Sequence, residues 1–129
     1  MLVAEGLRLS FREPGGDVLV ALDLHRFAPE PGALTVVRGP SGSGKSTLPY
    51  VLAGLQCPDS GTVRLDETDI YSFAETKRDR WRRQHIGFVF QDFHLLPELS
   101  PIWNVSIAAT FSRSRKDIKE RARVLLDEL

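Results

Sequence analysis

Nine consecutive residues carry the sharpest chemistry in this chain: Gly39-Pro40-Ser41-Gly42-Ser43-Gly44-Lys45-Ser46-Thr47. They satisfy the pattern GxxxxGK(S/T) from Gly39 through Ser46. A polyphosphate is wrapped by backbone N–H groups, and a Cβ in the way would hold the chain off. Glycines remove that obstacle and permit positive φ. The N–H groups then form a concave anion nest. A helix that starts at the loop aims its positive end at the same phosphates. Lys45 adds a point charge for the β- and γ-phosphates, Ser46 a hydroxyl for Mg²⁺, and Thr47 a hydrogen bond to a neighbouring phosphate oxygen. A second candidate is Gln91, which ends an apolar run and whose amide both donates and accepts. Read from its residue type alone, Gln91 is a polar residue that ends a strand, with metal or water positioning as the alternative.

These residues need a scaffold, and the chain supplies one in outline. Leu2 to Phe11 and Val18 to Phe27 alternate enough to read as strands, with a turn at Glu13-Pro14-Gly15-Gly16-Asp17 between them. Pro29-Glu30-Pro31-Gly32 is a second turn. Ala33 to Val37 reads as a buried parallel strand delivering the chain to the glycine loop. A helix is expected from about Lys45 to Leu55, a turn at Pro58 to Gly61, a strand at Thr62 to Leu65, and a helix from Glu75 to Arg83. Ile86 to Phe90 reads as another buried strand. Ser114 to Leu129 is a helix capped by Ser114, with Ile118, Ala122, Leu125 and Leu129 near one face. Alternating strands and helices mean α/β, and the early hairpin adds an antiparallel part. Pro49 is out of place in the expected helix. It predicts a kink or a displaced Lys45, and a gain in stability on Pro49→Leu.

The run Gly87-Phe88-Val89-Phe90-Gln91-Asp92-Phe93-His94-Leu95-Leu96-Pro97, with Ala53-Gly54-Leu55 and Pro58 to Val63 before it, resembles ABC-type ATP-binding subunits. The loop 39–47 resembles their Walker A motif and residues 86–97 their Q-loop region. Asn104-Val105 is similar to the end of the element that follows. The lipoprotein-release and macrolide-export branch is the nearest in character. The resemblance implies an α/β P-loop NTPase core with an antiparallel β layer and the start of a helical subdomain. It implies ATP and Mg²⁺ as cofactors, with Gln91 joining Ser46 at the metal. Phe11 falls where the family stacks an aromatic on adenine, although an aromatic that only fills the sheet fits as well. The loop 92–97 would face a transmembrane permease, and two subunits would sandwich two ATP molecules. The implied location is cytoplasmic, at the inner face of the membrane. Glu67, Trp103 and Pro49 depart from the family's pattern.

Residues 1–129 thus read as a partial ATP-binding domain, in which the signature and Walker B motifs are not found. No catalytic residue is identified beyond Gln91. Val124-Leu125-Leu126-Asp127-Glu128 imitates a Walker B strand, but it follows a stretch of helical period and reads as the end of a helix. Two further readings stay open: a MgATP-binding fragment without turnover, and a P-loop kinase.

Composition narrows the field further. Seventeen basic and seventeen acidic residues give zero formal charge, against the basic excess of a nucleic-acid binder. The basic stretch Lys77 to Arg83 is read as a solvated helix face with Trp81 buried. No apolar run approaches the ~20 residues of a membrane span, and no signal peptide is read at the N-terminus. His25, His85 and His94 do not cluster, so no metal site is read from them. The one cysteine, Cys57, makes no internal disulfide and is expected to be a small packing residue.

Overall fold

The computed structural model describes residues 1–92, 94–107 and 115–128. They form two compact units, Met1–Phe88 and Val89–Leu129.

The first unit is built on a four-stranded antiparallel sheet. Strands β1 (Leu2–Arg12) and β2 (Val18–Phe27) form the expected hairpin. Its turn is closed by bonds between Glu13 and Asp17 and between Gly16 and Glu13, each 2.9 Å. Strand β3 (Ser60–Leu65) pairs with the other edge of β1, and the short β4 (Thr68–Asp69) with β3, giving the order β2-β1-β3-β4. Gly61 lets β3 approach β1 closely: a Cβ there would stand 2.5 Å from the Gly6 carbonyl oxygen. The 3-10 turn Ile70–Ser72 and helix α2 (Glu75–His85) follow.

One layer of apolar side chains holds this unit together. Ala4, Leu7, Leu9, Leu22 and Val63 come from the sheet, Leu48 and Val51 from helix α1 (Thr47–Leu52), and Ile70 and Trp81 from the turn and α2. Trp81 is buried, as expected from its place among arginines, and its ring stacks on His85. The outer half of the hairpin extends past this layer, so Phe11, Val18, Leu19 and Val20 are exposed.

Four expectations need correction. Ala33–Val37 and Ile86–Phe90 do not form strands, and both leave apolar side chains in solvent: Leu34 is 93% exposed and Val89 86%. A doubly buried strand needs a partner on each side, and among the described residues neither segment finds one. The helix expected from Lys45 starts only at Thr47. Pro49 accounts for this: it has no N–H to return to the Lys45 carbonyl, so it is tolerated in the first turn, where N–H groups lack helical partners. Cys57 is exposed rather than packed.

The second unit contains α3 (Pro101–Ser106) and α4 (Arg115–Asp127). Ala122 is buried, whereas Val124 and Leu125 are exposed. Val124–Asp127 is helical, as read from its period, and not a strand. Ser114 and Leu129, the expected cap and last apolar contact, lie outside the described residues.

Candidate nucleotide-binding site

The glycine loop is anchored on β2. Gly44 has φ +80°, and a Cβ on it would meet the Ala21 carbonyl oxygen at 2.5 Å and Leu22 Cδ1 at 3.4 Å. Only glycine allows both that conformation and that approach. Gly42 also lies in the left-handed region, at φ +79°, but with open space on its Cβ side. Gly39 faces the Ser43 side chain closely, its absent Cβ lying 2.7 Å from Ser43 Oγ. A bond from Ser43 N–H to the Pro40 carbonyl, 3.3 Å, turns the loop on itself. Within it, Ser41 is exposed.

Lys45 folds back over this loop. Its Nζ donates to the Pro40 carbonyl and lies 3.5 Å from Ser43 Oγ. The ammonium is therefore held at the mouth of the loop rather than released into solvent. Ser46 takes the N-cap position of α1 but makes no side-chain capping bond. Thr47 is the first helical residue and half-buried. Leu48 N–H bonds to the Gly44 carbonyl at 2.9 Å, joining loop and helix without a break.

These features suit a phosphate chain. The left-handed Gly42 faces open space, so no side chain blocks an approaching anion. A positive charge sits at the rim, and a free hydroxyl follows it. Ser46 is the group here suited to a divalent cation accompanying the phosphates.

Phe11 is 44% exposed and faces Leu19 across the hairpin. Leu19 lies two residues from Ala21, the contact of Gly44. The aromatic and the loop thus approach the same strand about 7 Å apart along it. Gln91 is exposed and belongs to the second unit. Among the described residues no group of three His, Cys, Asp or Glu side chains is arranged to hold a metal ion.

Two side chains that the sequence did not single out organise the surroundings of the loop. Tyr71 Oη lies 2.6 Å from the carbonyl oxygens of both Val51 and Gln56. Burial pushes its hydroxyl well above the usual tyrosine range, so it remains a donor. Arg82 donates to the Gly54 carbonyl at 2.7 Å and pairs with Asp79. In the second unit Asn104 clamps the loop after Gln91. Its Oδ1 accepts from Leu96 N–H at 2.8 Å, and its Nδ2 reaches the carbonyls of Leu96 and Leu99 at 3.0 Å. Its place in the element after the Q-loop region was the one sequence signal for it. Nothing local marks Tyr71, whose acceptors lie up to 20 residues away.

The family described as ABC transporter matches residues 22–129. A lipoprotein-releasing system ATP-binding protein, LolD 2 of Rhodopirellula baltica, is 41% identical over 138 residues, covering all of this chain and 53% of that protein. The macrolide export ATP-binding/permease protein MacB of Sodalis glossinidius is 37% identical over 130 residues, covering all of this chain and 20% of that one. A solved dimeric structure of the bacterial ABC transporter cassette MJ0796 superposes with a TM-score of 0.86 at 29% identity, over 98% of this chain and 56% of that one. A second, in a post-hydrolysis state with ADP and Pi, gives 0.85 over the same shares. The chain spans from a fifth to little more than half the length of these proteins. The fold is that of an α/β P-loop NTPase with an antiparallel sheet, and the glycine loop, its lysine and its match along residues 22–129 make this chain a member of the ABC transporter family.

Proposed function

We propose that residues 1–129 are part of an ATP-binding domain that grips MgATP through residues 39–47 and serves a membrane permease. The observation that carries this is the loop itself. Gly44 is locked against β2, Gly42 opens on free space, and Lys45 is held over the mouth. Ser41, Gly42 and Gly44 present backbone N–H groups, Lys45 its charge, and Thr47 a hydroxyl to the phosphates. Ser46 would hold Mg²⁺, which would neutralise phosphate charge when bound. Phe11 offers an aromatic face to the adenine. The exposed Leu95 and Leu96 suit the loop 92–97 to a permease.

The names of the relatives favour lipoprotein release or macrolide export as the process served. The dimeric neighbours favour pairing with a second ATP-binding subunit. Among the described residues no helix is long and apolar enough to cross a membrane. The names of the relatives, an ATP-binding protein and an ATP-binding/permease protein, support attachment to the inner face of the membrane through a permease.

A second reading is binding without turnover. The helical state of Val124–Asp127 favours it, since Asp127 then ends a helix rather than a strand beside the phosphates. A fluorescent ATP analogue tests both. The purified chain is expected to bind it with Mg²⁺ and to lose it on Lys45→Ala. Equal binding by both proteins refutes the nucleotide reading. Phosphate release well above the Lys45→Ala control refutes the second one.

A further inference from the structure

Helix α1 is a weak element by itself. It has six residues, about half of what an isolated helix needs to persist in water. No basic residue lies in its last turn to meet its negative end. The groups that hold that end come from residues 70–82. Tyr71 Oη reaches Val51 in the last turn and Gln56 beyond it. Arg82 reaches across from α2 to the Gly54 carbonyl. The Arg78 guanidinium lies over the Tyr71 ring at 5.2 Å. Gly54 closes the contact: a Cβ there would lie 3.2 Å from Arg78 Cδ and 3.4 Å from Ile70 Cδ1. Donors, one of them cationic, thus meet carbonyls at the end of the helix and just past it, where Val51 also accepts from the Gly54 amide.

The other end of α1 continues into Lys45 and Ser46. Six residues make a rod about 9 Å long, so a shift at one end is felt at the other. We propose that Tyr71 and Arg82 are positioning residues for the nucleotide grip. They fix the C-terminal end of α1 and thereby set where Gly44, Lys45 and Ser46 present their groups. This rests on the reading of residues 39–47 as the nucleotide site. Neither residue touches the phosphates. They act through the helix.

The test measures affinity of the full chain for a fluorescent ATP analogue, in the cold, where circular dichroism shows every variant folded. Tyr71→Phe and Arg82→Gln are each expected to weaken binding roughly 3- to 30-fold, with Arg82→Lys recovering part of the loss. Folded variants that bind as the unaltered chain does overturn the proposal. Undiminished binding by Lys45→Ala overturns the nucleotide reading itself, and this proposal with it. If a variant fails to fold, hydrogen exchange in the unaltered chain decides. The analogue must slow exchange of the Ala53 and Gly54 amides, which bond to Pro49 and Val51. Unchanged exchange there overturns the coupling.

Discussion

Two glycines of one loop share a backbone conformation and differ in what surrounds them. Gly42 and Gly44 lie at φ +79° and +80°. A left-handed conformation costs an ordinary residue roughly 1–2 kcal/mol, so alanine at either position should lose about that much. At Gly44 a second cost is added. The new Cβ would stand 2.5 Å from the Ala21 carbonyl oxygen. Ala21 precedes the buried Leu22, which pairs with Leu9 in the core hairpin. The strand yields only by disturbing that pairing, an overpacking cost of roughly 1–3 kcal/mol. Gly44→Ala should therefore destabilise the first unit by about 2–5 kcal/mol, and Gly42→Ala by about 1–2 kcal/mol. Urea unfolding followed by Trp81 fluorescence measures the difference, with Trp103→Phe as background so that one indole reports. Equal losses at the two positions would refute the close approach to β2 as the reason for Gly44.

Other expectations follow from the same geometry. Pro49→Leu should raise stability by no more than about 1 kcal/mol, because Pro49 sits where its missing N–H has no helical partner. A thermal melt reads this, and a gain of several kcal/mol would mean that the proline strains the loop. Raising the pH above about 10 should destabilise the first unit. Burial raises the folded-state pKa of Tyr71, so its stabilising contribution is full below the unfolded value and is lost as pH climbs through the folded one. In urea unfolding at high pH, Tyr71→Phe should lose less stability than the unaltered chain over that interval. In the second unit, Asn104→Ala removes the acceptor of the Leu96 N–H. Its exchange should quicken at least about fivefold, for ~1 kcal/mol, while amides of residues 1–88 keep theirs.

Short-range chemistry was legible in the sequence. The hairpin was marked by alternation and by a turn rich in glycine and proline, and the glycine loop by residue types that serve little else. The helical state of Val124–Asp127 followed from its period, against its resemblance to a strand. Tyr71 and Arg82 were not legible. Each reaches carbonyls 15 to 28 residues away, and backbone carbonyls leave no trace in side-chain patterns. The apparent solvated face of Lys77 to Arg83 concealed the same fact. Arg78 and Arg82 are half-buried and donate to the carbonyls of Phe73 and Gly54. Charge patterning alone does not distinguish such arginines from solvated ones.

The two missing strands show what an apolar run specifies. Ala33–Val37 is an apolar run that makes no ladder. A run of Ala, Leu, Val and Val states a preference for burial, whereas the strand itself exists only through the hydrogen bonds of its neighbours. The loop that follows is consequently held from one side. Every residue from Pro31 to Ser43 is exposed, while Leu48 and Val51 beyond the loop are buried in the core and Gly44 lies against β2. The anchorage of the phosphate grip lies at Gly44 and after it, in α1 and in the groups that hold the far end of that helix. Substitutions in residues 33–38 should therefore leave the geometry of Lys45 largely unchanged, whereas those at Gly44, Val51 or Tyr71 act on it through packed contacts.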